Sequence, residues 1–177
     1  MQRSDSELVE AACAGNIDSF RELYERYYSM TVGIAYSRLS DHHLAEDAAQ
    51  EAFATACRRL SSLRNAEKFP EWLATICRRT ASRLARSLTK GNPIIGEPIS
   101  PVKVDNIESE LVHEALAQLS KTEREVIYLH YFSGLSHEDV ARALGISPQA
   151  VHGRMQRARR KLAVKIPKSE GKGVINE

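Results

Sequence analysis

Ser136-His137-Glu138-Asp139-Val140-Ala141-Arg142-Ala143-Leu144-Gly145-Ile146-Ser147-Pro148-Gln149-Ala150-Val151 carries two helix starts and one stop in a short span. Ser136 supplies a capping oxygen ahead of a helix through Val140, Ala141 and Leu144, and Gly145 ends it. Ser147-Pro148 opens the next helix: the hydroxyl caps it, and proline at the first helical position lacks only an N–H that would have no partner there. Two helices joined by Leu144-Gly145-Ile146-Ser147 make a helix-turn-helix. Ala141 is small where the helices must cross closely, while Val140, Leu144, Ile146 and Val151 supply an apolar seam. The second helix, predicted over residues 148–164, is followed at once by Lys165 and holds Arg154, Arg157, Arg159, Arg160 and Lys161. A basic helix in this position points to duplex DNA, whose major groove admits one helix.

Upstream, Thr122-Glu123-Arg124-Glu125 fits a capping box ahead of a helix through Val126, Ile127, Leu129, Tyr131 and Phe132, with Gly134 as its stop. Half of the six prolines, Pro93, Pro98 and Pro101, fall between Gly91 and Pro101 beside Gly91 and Gly96. Each removes a donor and restricts the residue before it, so this stretch is no helix interior. The predicted organisation is an N-terminal lobe over residues 1–88, a linker over 89–106, a winged-helix-like helix-turn-helix lobe over 107–165, and a frayed polar tail over 166–177.

The N-terminal lobe shows only helical period, which makes the predicted fold all-α: two small helical domains and a Pro/Gly-containing linker. Leu8, Ala11 and Ala12, then Phe20, Leu23, Tyr24 and Tyr27, recur at spacings of three and four. Leu44, Ala48, Ala52, Phe53, Ala56 and Leu60 line one side of a second long helix, whose other side carries Glu46, Asp47, Gln50, Glu51 and Arg58. Pro70 stands where a helix can begin, followed by the stripe Trp72, Leu73, Ile76, Cys77, Ala81, Leu84 and Leu88. Arg79, Arg83 and Arg86 share another face, with Arg78 at its edge. Like charges so placed repel one another, and a counter-charge outside the helix would remove that cost.

The net charge of +2 hides a division along the chain. Residues 1–60 hold 6 basic and 10 acidic side chains, 61–90 hold 7 and 2, 91–140 hold 3 and 9, and 141–177 hold 9 and 2. Two separate basic blocks suggest two places where phosphate is met. No run approaches the roughly 18 apolar residues of a membrane-spanning helix, so no direct membrane insertion is expected. The N-terminus Met1-Gln2-Arg3-Ser4-Asp5 lacks an export signal, which predicts a cytoplasmic protein. Three widely spaced cysteines, Cys13, Cys57 and Cys77, argue against a disulfide scaffold and a zinc site. Cys57 and Cys77 are expected as small core residues. His137, Glu138 and Asp139 are adjacent on a helix and point about 100° apart, so they cannot converge on one ion; Asp41-His42-His43 reads as a polar turn. No phosphate-binding glycine loop, Gly-x-Ser-x-Gly or His-Glu-x-x-His is found, so neither catalytic residues nor a metal or other cofactor is expected.

The chain resembles the extracytoplasmic-function (ECF) group of sigma-70 family RNA polymerase sigma factors. The resemblance is carried by Phe20-Arg21-Glu22-Leu23-Tyr24-Glu25-Arg26-Tyr27-Tyr28, by Ala45-Glu46-Asp47-Ala48-Ala49-Gln50-Glu51-Ala52-Phe53, and by Phe69-Pro70-Glu71-Trp72-Leu73-Ala74-Thr75-Ile76-Cys77-Arg78-Arg79. It continues in Tyr131-Phe132-Ser133-Gly134-Leu135-Ser136-His137-Glu138-Asp139-Val140-Ala141 and on to Arg157-Ala158-Arg159-Arg160-Lys161-Leu162. The resemblance implies that the two lobes are sigma regions 2 and 4, with core RNA polymerase and promoter DNA as partners and an anti-sigma protein as a common further one. By the same resemblance, Glu46, Asp47, Gln50, Glu51 and Arg58 face core polymerase. Arg64, Asn65 and Lys68, with Arg78, Arg79 and Arg83, meet the single-stranded −10 element. Ser147, Gln149, His152, Arg154, Arg157, Arg160 and Lys161 meet the −35 duplex, with Arg157 on either a base or a phosphate. Trp72 is read as a core anchor, with a stacking platform for a base as the other reading. The chain departs from the family's usual residues at Cys57, Arg79 and Arg83.

The residues alone leave a second reading open: a helix-turn-helix transcription regulator that dimerises on paired half-sites and does not bind core polymerase.

Overall fold

The computed structural model describes residues 3–91 and 115–165, with side chains described to 88 in the first span and 163 in the second. Most of the expected linker and the whole expected tail lie outside the described residues, among which helices and turns are the only regular structure.

In the N-terminal lobe, α1 (Asp5–Cys13) starts at Ser4, whose hydroxyl accepts from the Glu7 N–H while Glu7 reaches back to the Ser4 N–H. α2 (Ile17–Leu39) is capped by Asn16, which accepts from Ser19 N–H at 2.9 Å. Asp41 caps α3 (His42–Arg59) through the Leu44 N–H at 2.9 Å, so His42 and His43 are the first helical residues rather than a turn. Ala45, Ala48, Ala49, Ala52 and Ala56 form a buried row on α3 that lets α2 and α4 (Phe69–Gly91) approach closely. Leu23, Ile34, Phe53, Phe69 and Leu73 fill the space between them; burying each such side chain contributes roughly 1.5–3 kcal/mol. Cys77 belongs to this core, but Cys57 does not. It lies on the exposed side of α3, because the alanine row already takes up the helix's inner face.

In the C-terminal lobe, α5 (Lys121–Ile127) begins two residues earlier than the expected cap at Thr122 implies. The cap is Ser120, not Thr122: Ser120 Oγ accepts from Glu123 N–H at 3.3 Å, and Glu123 Oε2 accepts from Ser120 N–H at 2.9 Å. Thr122 and Glu125 have the same spacing, but Glu125 is turned toward arginines of the other lobe. α5 then widens into a π-type turn, Tyr128–Phe132, closed by a bond from Ser133 N–H to Tyr128 C=O at 3.0 Å. α6 (His137–Leu144) is capped by Ser136 and stops at Gly145, whose φ of +64° is the left-handed conformation glycine accepts without strain. α7 (Pro148–Lys165) follows after Ile146 and Ser147, and Val140, Ala141 and Val151 are buried in the seam. α7 packs on α5 and α6, while α2 and α4 pack against α5, the π-type turn and α6, so one continuous apolar core runs through both lobes.

Candidate nucleic-acid interface

α7 is fastened by Val151, Met155 and Ala158, all buried. Their spacing leaves Gln149, His152, Gln156 and Arg160 as an exposed stripe on the opposite face. The Ser147 hydroxyl accepts from Ala150 N–H at 3.2 Å and fixes the start of the helix. Arg154 is half-buried on the flank of the stripe, and neither it nor Arg160 has an ion-pair partner among the described residues. The other cations are held. Lys161 Nζ donates to Glu123 at 2.7 Å, Arg157 lies 4.0 Å from the same carboxylate, and Arg159 donates to the Tyr131 hydroxyl at 2.6 Å while stacking over that ring. Burial works to raise the Glu123 carboxyl, but bonds from Lys161 and Ser120 outweigh it and hold the group down at about 2. His137 is pushed down by burial and by His130, His152 and Arg159 around it.

The second basic block is arranged differently. Arg64, Asn65 and Lys68 are exposed on the short turns between α3 and α4. Asn65 Oδ1 accepts from Glu67 N–H at 3.0 Å, so this side chain is also structural. Arg79 is exposed with no ion-pair partner among the described residues, whereas Arg83 pairs with Glu51 of α3 and Arg78 Nε donates to Glu125 of α5 at 2.8 Å. The counter-charges that relieve this crowded arginine face are thus partly the chain's own.

On α3, Asp47 and Gln50 are exposed, Glu46 is half-buried 3.9 Å from His42, and the Arg58 guanidinium donates to Thr55 Oγ1 with no ion-pair partner among the described residues. The result is a stripe of acceptors with Asp47 at its centre and Glu51 shared with Arg83. Trp72 is half-buried with its ring against Phe69, an anchor between core and surface. Burial, reinforced by Glu125, pushes the Cys77 thiol up to about 12, which leaves it protonated.

A model of Sigma-70 region 2 matches residues 23–91, and a model of Sigma-70 region 4 matches residues 109–162. The ECF RNA polymerase sigma factor SigM of Mycobacterium tuberculosis is 31% identical over 167 residues, spanning 92% of this chain and 84% of SigM. The chain belongs to the ECF sigma factors. Another relative, the ECF RNA polymerase sigma factor BldN of Streptomyces coelicolor, is 30% identical over 91% of this chain, which spans only 65% of BldN. Among solved structures, CnrH in complex with the cytosolic domain of CnrY aligns with a TM-score of 0.66 at 28% identity, covering 92% of this chain and 96% of CnrH.

As a sigma factor the protein binds core RNA polymerase and directs promoter-specific initiation through −10 and −35 recognition. Sigma factors are initiation factors, and a match to region 2 displaces the reading as a dimeric regulator that ignores the polymerase. No helix among the described residues is long and apolar enough to cross a membrane.

Several residues that shape the site escaped sequence reasoning. Glu123 and Glu125, almost fully buried, hold cations of α7 and α4 respectively. Arg38 lies 3.9 Å from Glu125 as a second partner. Gln156 joins the outward stripe of α7, and its signal was available in the seven-residue step from Gln149. Buried acids leave no comparable trace, since an acid on a short helix reads as a solvated one.

Proposed function

We propose that the exposed stripe of α7 reads the −35 element in the major groove, with Gln149, His152 and Arg154 toward base edges. Arg160 and Lys161 track phosphates, Arg157 takes a base or a phosphate, and Ser147 with the helix start holds a phosphate. Residues 61–69 capture the opened −10 strand, with Arg64, Asn65 and Lys68 as polar contacts and Arg78, Arg79 and Arg83 on the strand beyond. The acceptor stripe Glu46, Asp47, Gln50 and Glu51, with Arg58 beside it, docks on arginines of the polymerase. The two DNA-reading lobes span residues 1–88 and 107–165, with 89–106 between them and 166–177 beyond. As its membership of the ECF sigma factors suggests, this chain takes an anti-sigma protein, and it works in the cytoplasm without catalytic chemistry of its own.

The reading rests chiefly on the α7 stripe: polar and cationic side chains at one helical face, with the opposite face locked into a helix-turn-helix core. Its test is reconstitution with core polymerase and mapping of transcript starts on genomic DNA. Discrete starts sharing two spaced upstream elements are expected. A chain that binds DNA but leaves core polymerase unable to start at promoters would defeat it.

A further inference from the structure

We infer that Gln156 is a positioning residue for His152: its side-chain amide fixes the ring proton of His152 on Nδ1, so that His152 reads a hydrogen-bond acceptor in the major groove and rejects cytosine. The inference rests on the reading role proposed above for α7.

Gln156 follows His152 by four residues and both are exposed, so the two side chains are neighbours on the outward stripe. Gln156 Nε2 lies 3.1 Å from His152 Nε2. An amide nitrogen can only donate, so the ring nitrogen facing it is the acceptor. The proton of the neutral imidazole then sits on Nδ1. A histidine side chain free in water carries that proton mainly on Nε2, so the bond to Gln156 selects the less common form. Among the described residues His152 makes no other hydrogen bond, which leaves Nδ1–H for the duplex.

Two further imidazoles support the ring. His137, the first residue of α6, meets it edge to face with ring centroids 6.3 Å apart. His130 of the π-type turn packs on His137 at 4.7 Å and is itself tied down, its Nδ1 donating to the Leu135 carbonyl at 2.8 Å. Burial pushes His137 down, and His130, His152 and Arg159 add to the effect, so the support places no charge behind His152 at neutral pH. The column limits how the ring can tilt, while Gln156 decides which nitrogen donates. In the major groove the purines offer N7, guanine also O6, and thymine O4, whereas cytosine offers only its amino donor. A ring donor set against cytosine leaves two donors opposed. The selection is therefore against one base on the strand that His152 faces.

The test uses the full chain as wild type, Gln156→Met and His152→Ala. Methionine keeps the length of the exposed side chain without its amide, and His152→Ala identifies both the ring signals and the base pair that His152 faces. Long-range proton–nitrogen spectra of nitrogen-15-labelled protein at neutral pH read which ring nitrogen holds the proton. Wild-type His152 is expected with the proton on Nδ1, and Gln156→Met with a return toward the Nε2–H form. Each chain, bound to core polymerase, is then titrated on a promoter fragment whose −35 element is substituted base by base. The wild type should bind about tenfold more weakly when cytosine enters one position. Gln156→Met should reduce that discrimination, and His152→Ala should abolish it. A wild-type ring protonated on Nε2, or an Nδ1–H form that survives Gln156→Met, overturns the tautomer assignment. The expected tautomer with cytosine tolerated at the position that His152→Ala affects overturns the base preference. If His152→Ala affects no position, the base preference also falls, and the failure lies in the reading role given to α7 rather than in the bond between Gln156 and His152.

Discussion

The buried carboxylate of Glu123 accepts a hydrogen bond from Lys161 Nζ at 2.7 Å, tying the first turn of α5 to the last third of α7. The same carboxylate closes the capping box with Ser120. One side chain therefore both starts α5 and holds α7 against it. The folded group is held down to about 2, whereas an unfolded glutamate ionises near about 4.3. The stability this adds is complete above the unfolded value and drains away as pH falls toward about 2. Glu123→Gln should lower stability at neutral pH by roughly 1.5–3 kcal/mol and flatten the acid limb below about pH 4.5. Thermal melts followed by circular dichroism across that range check this, and an acid limb identical to the wild type would show that another group sets it.

On the role proposed for α7, Arg154 and Arg160 separate base reading from phosphate contact on one helix. Arg154 flanks the exposed stripe near its start and Arg160 lies two turns on, neither with an ion-pair partner among the described residues. Arg154→Ala should weaken binding to a cognate −35 duplex by roughly 1–3 kcal/mol and relax preference at one or two base pairs. Arg160→Ala should weaken all sequences alike and reduce the slope of affinity against salt by about one. Anisotropy titrations of both variants on cognate and scrambled duplexes at several salt concentrations distinguish these effects, and the reverse pattern would exchange the two roles.

Much of this arrangement was legible in the sequence because it depends on local chemistry. Ser136, Gly145, Ser147 and Pro148 mark the helix-turn-helix by capping and backbone conformation alone, and all four act as those rules require. The outward stripes of α3 and α7 follow from helical period in the same way. What was not legible depends on distant partners. Thr122 and Ser120 each have an acid three residues on, and the choice between them falls to Ser120 because Arg38 and Arg78 claim Glu125. The exposure of Cys57 is set by the neighbouring alanine row, and the π-type turn at Tyr128–Phe132 has no capping residue to announce it.

Asp47 gives the cleanest test of polymerase docking. It is exposed on α3 with no ion-pair partner among the described residues, whereas Glu51 already pairs with Arg83. Asp47→Lys should cost at least about tenfold in affinity for core polymerase, about 1.4 kcal/mol, with helical content unchanged. Glu51→Lys should cost affinity and some stability together, since it sets a second cation against Arg83. Surface-plasmon titration of core polymerase alongside far-ultraviolet melts reads both quantities. If Asp47→Lys melts early, the residue is structural rather than a docking contact.

Gly145 sets the angle between α6 and α7, and two costs of replacing it can be separated. Its φ of +64° penalises any residue with a Cβ, by about 1–2 kcal/mol. A Cβ there would also stand 2.5 Å from Glu71 Oε1, across the boundary between the lobes. Glu71 is the far end of a flexible side chain that can swing aside, so the backbone term should dominate. Gly145→Ala is therefore expected to lower the melting temperature, with Glu71→Ala recovering little of the loss. Gly145→Asn should cost less than Gly145→Ala, because asparagine tolerates the left-handed region better. Full recovery in the Gly145→Ala, Glu71→Ala double variant would instead make the close contact with Glu71, and not the turn, the reason glycine stands at this position.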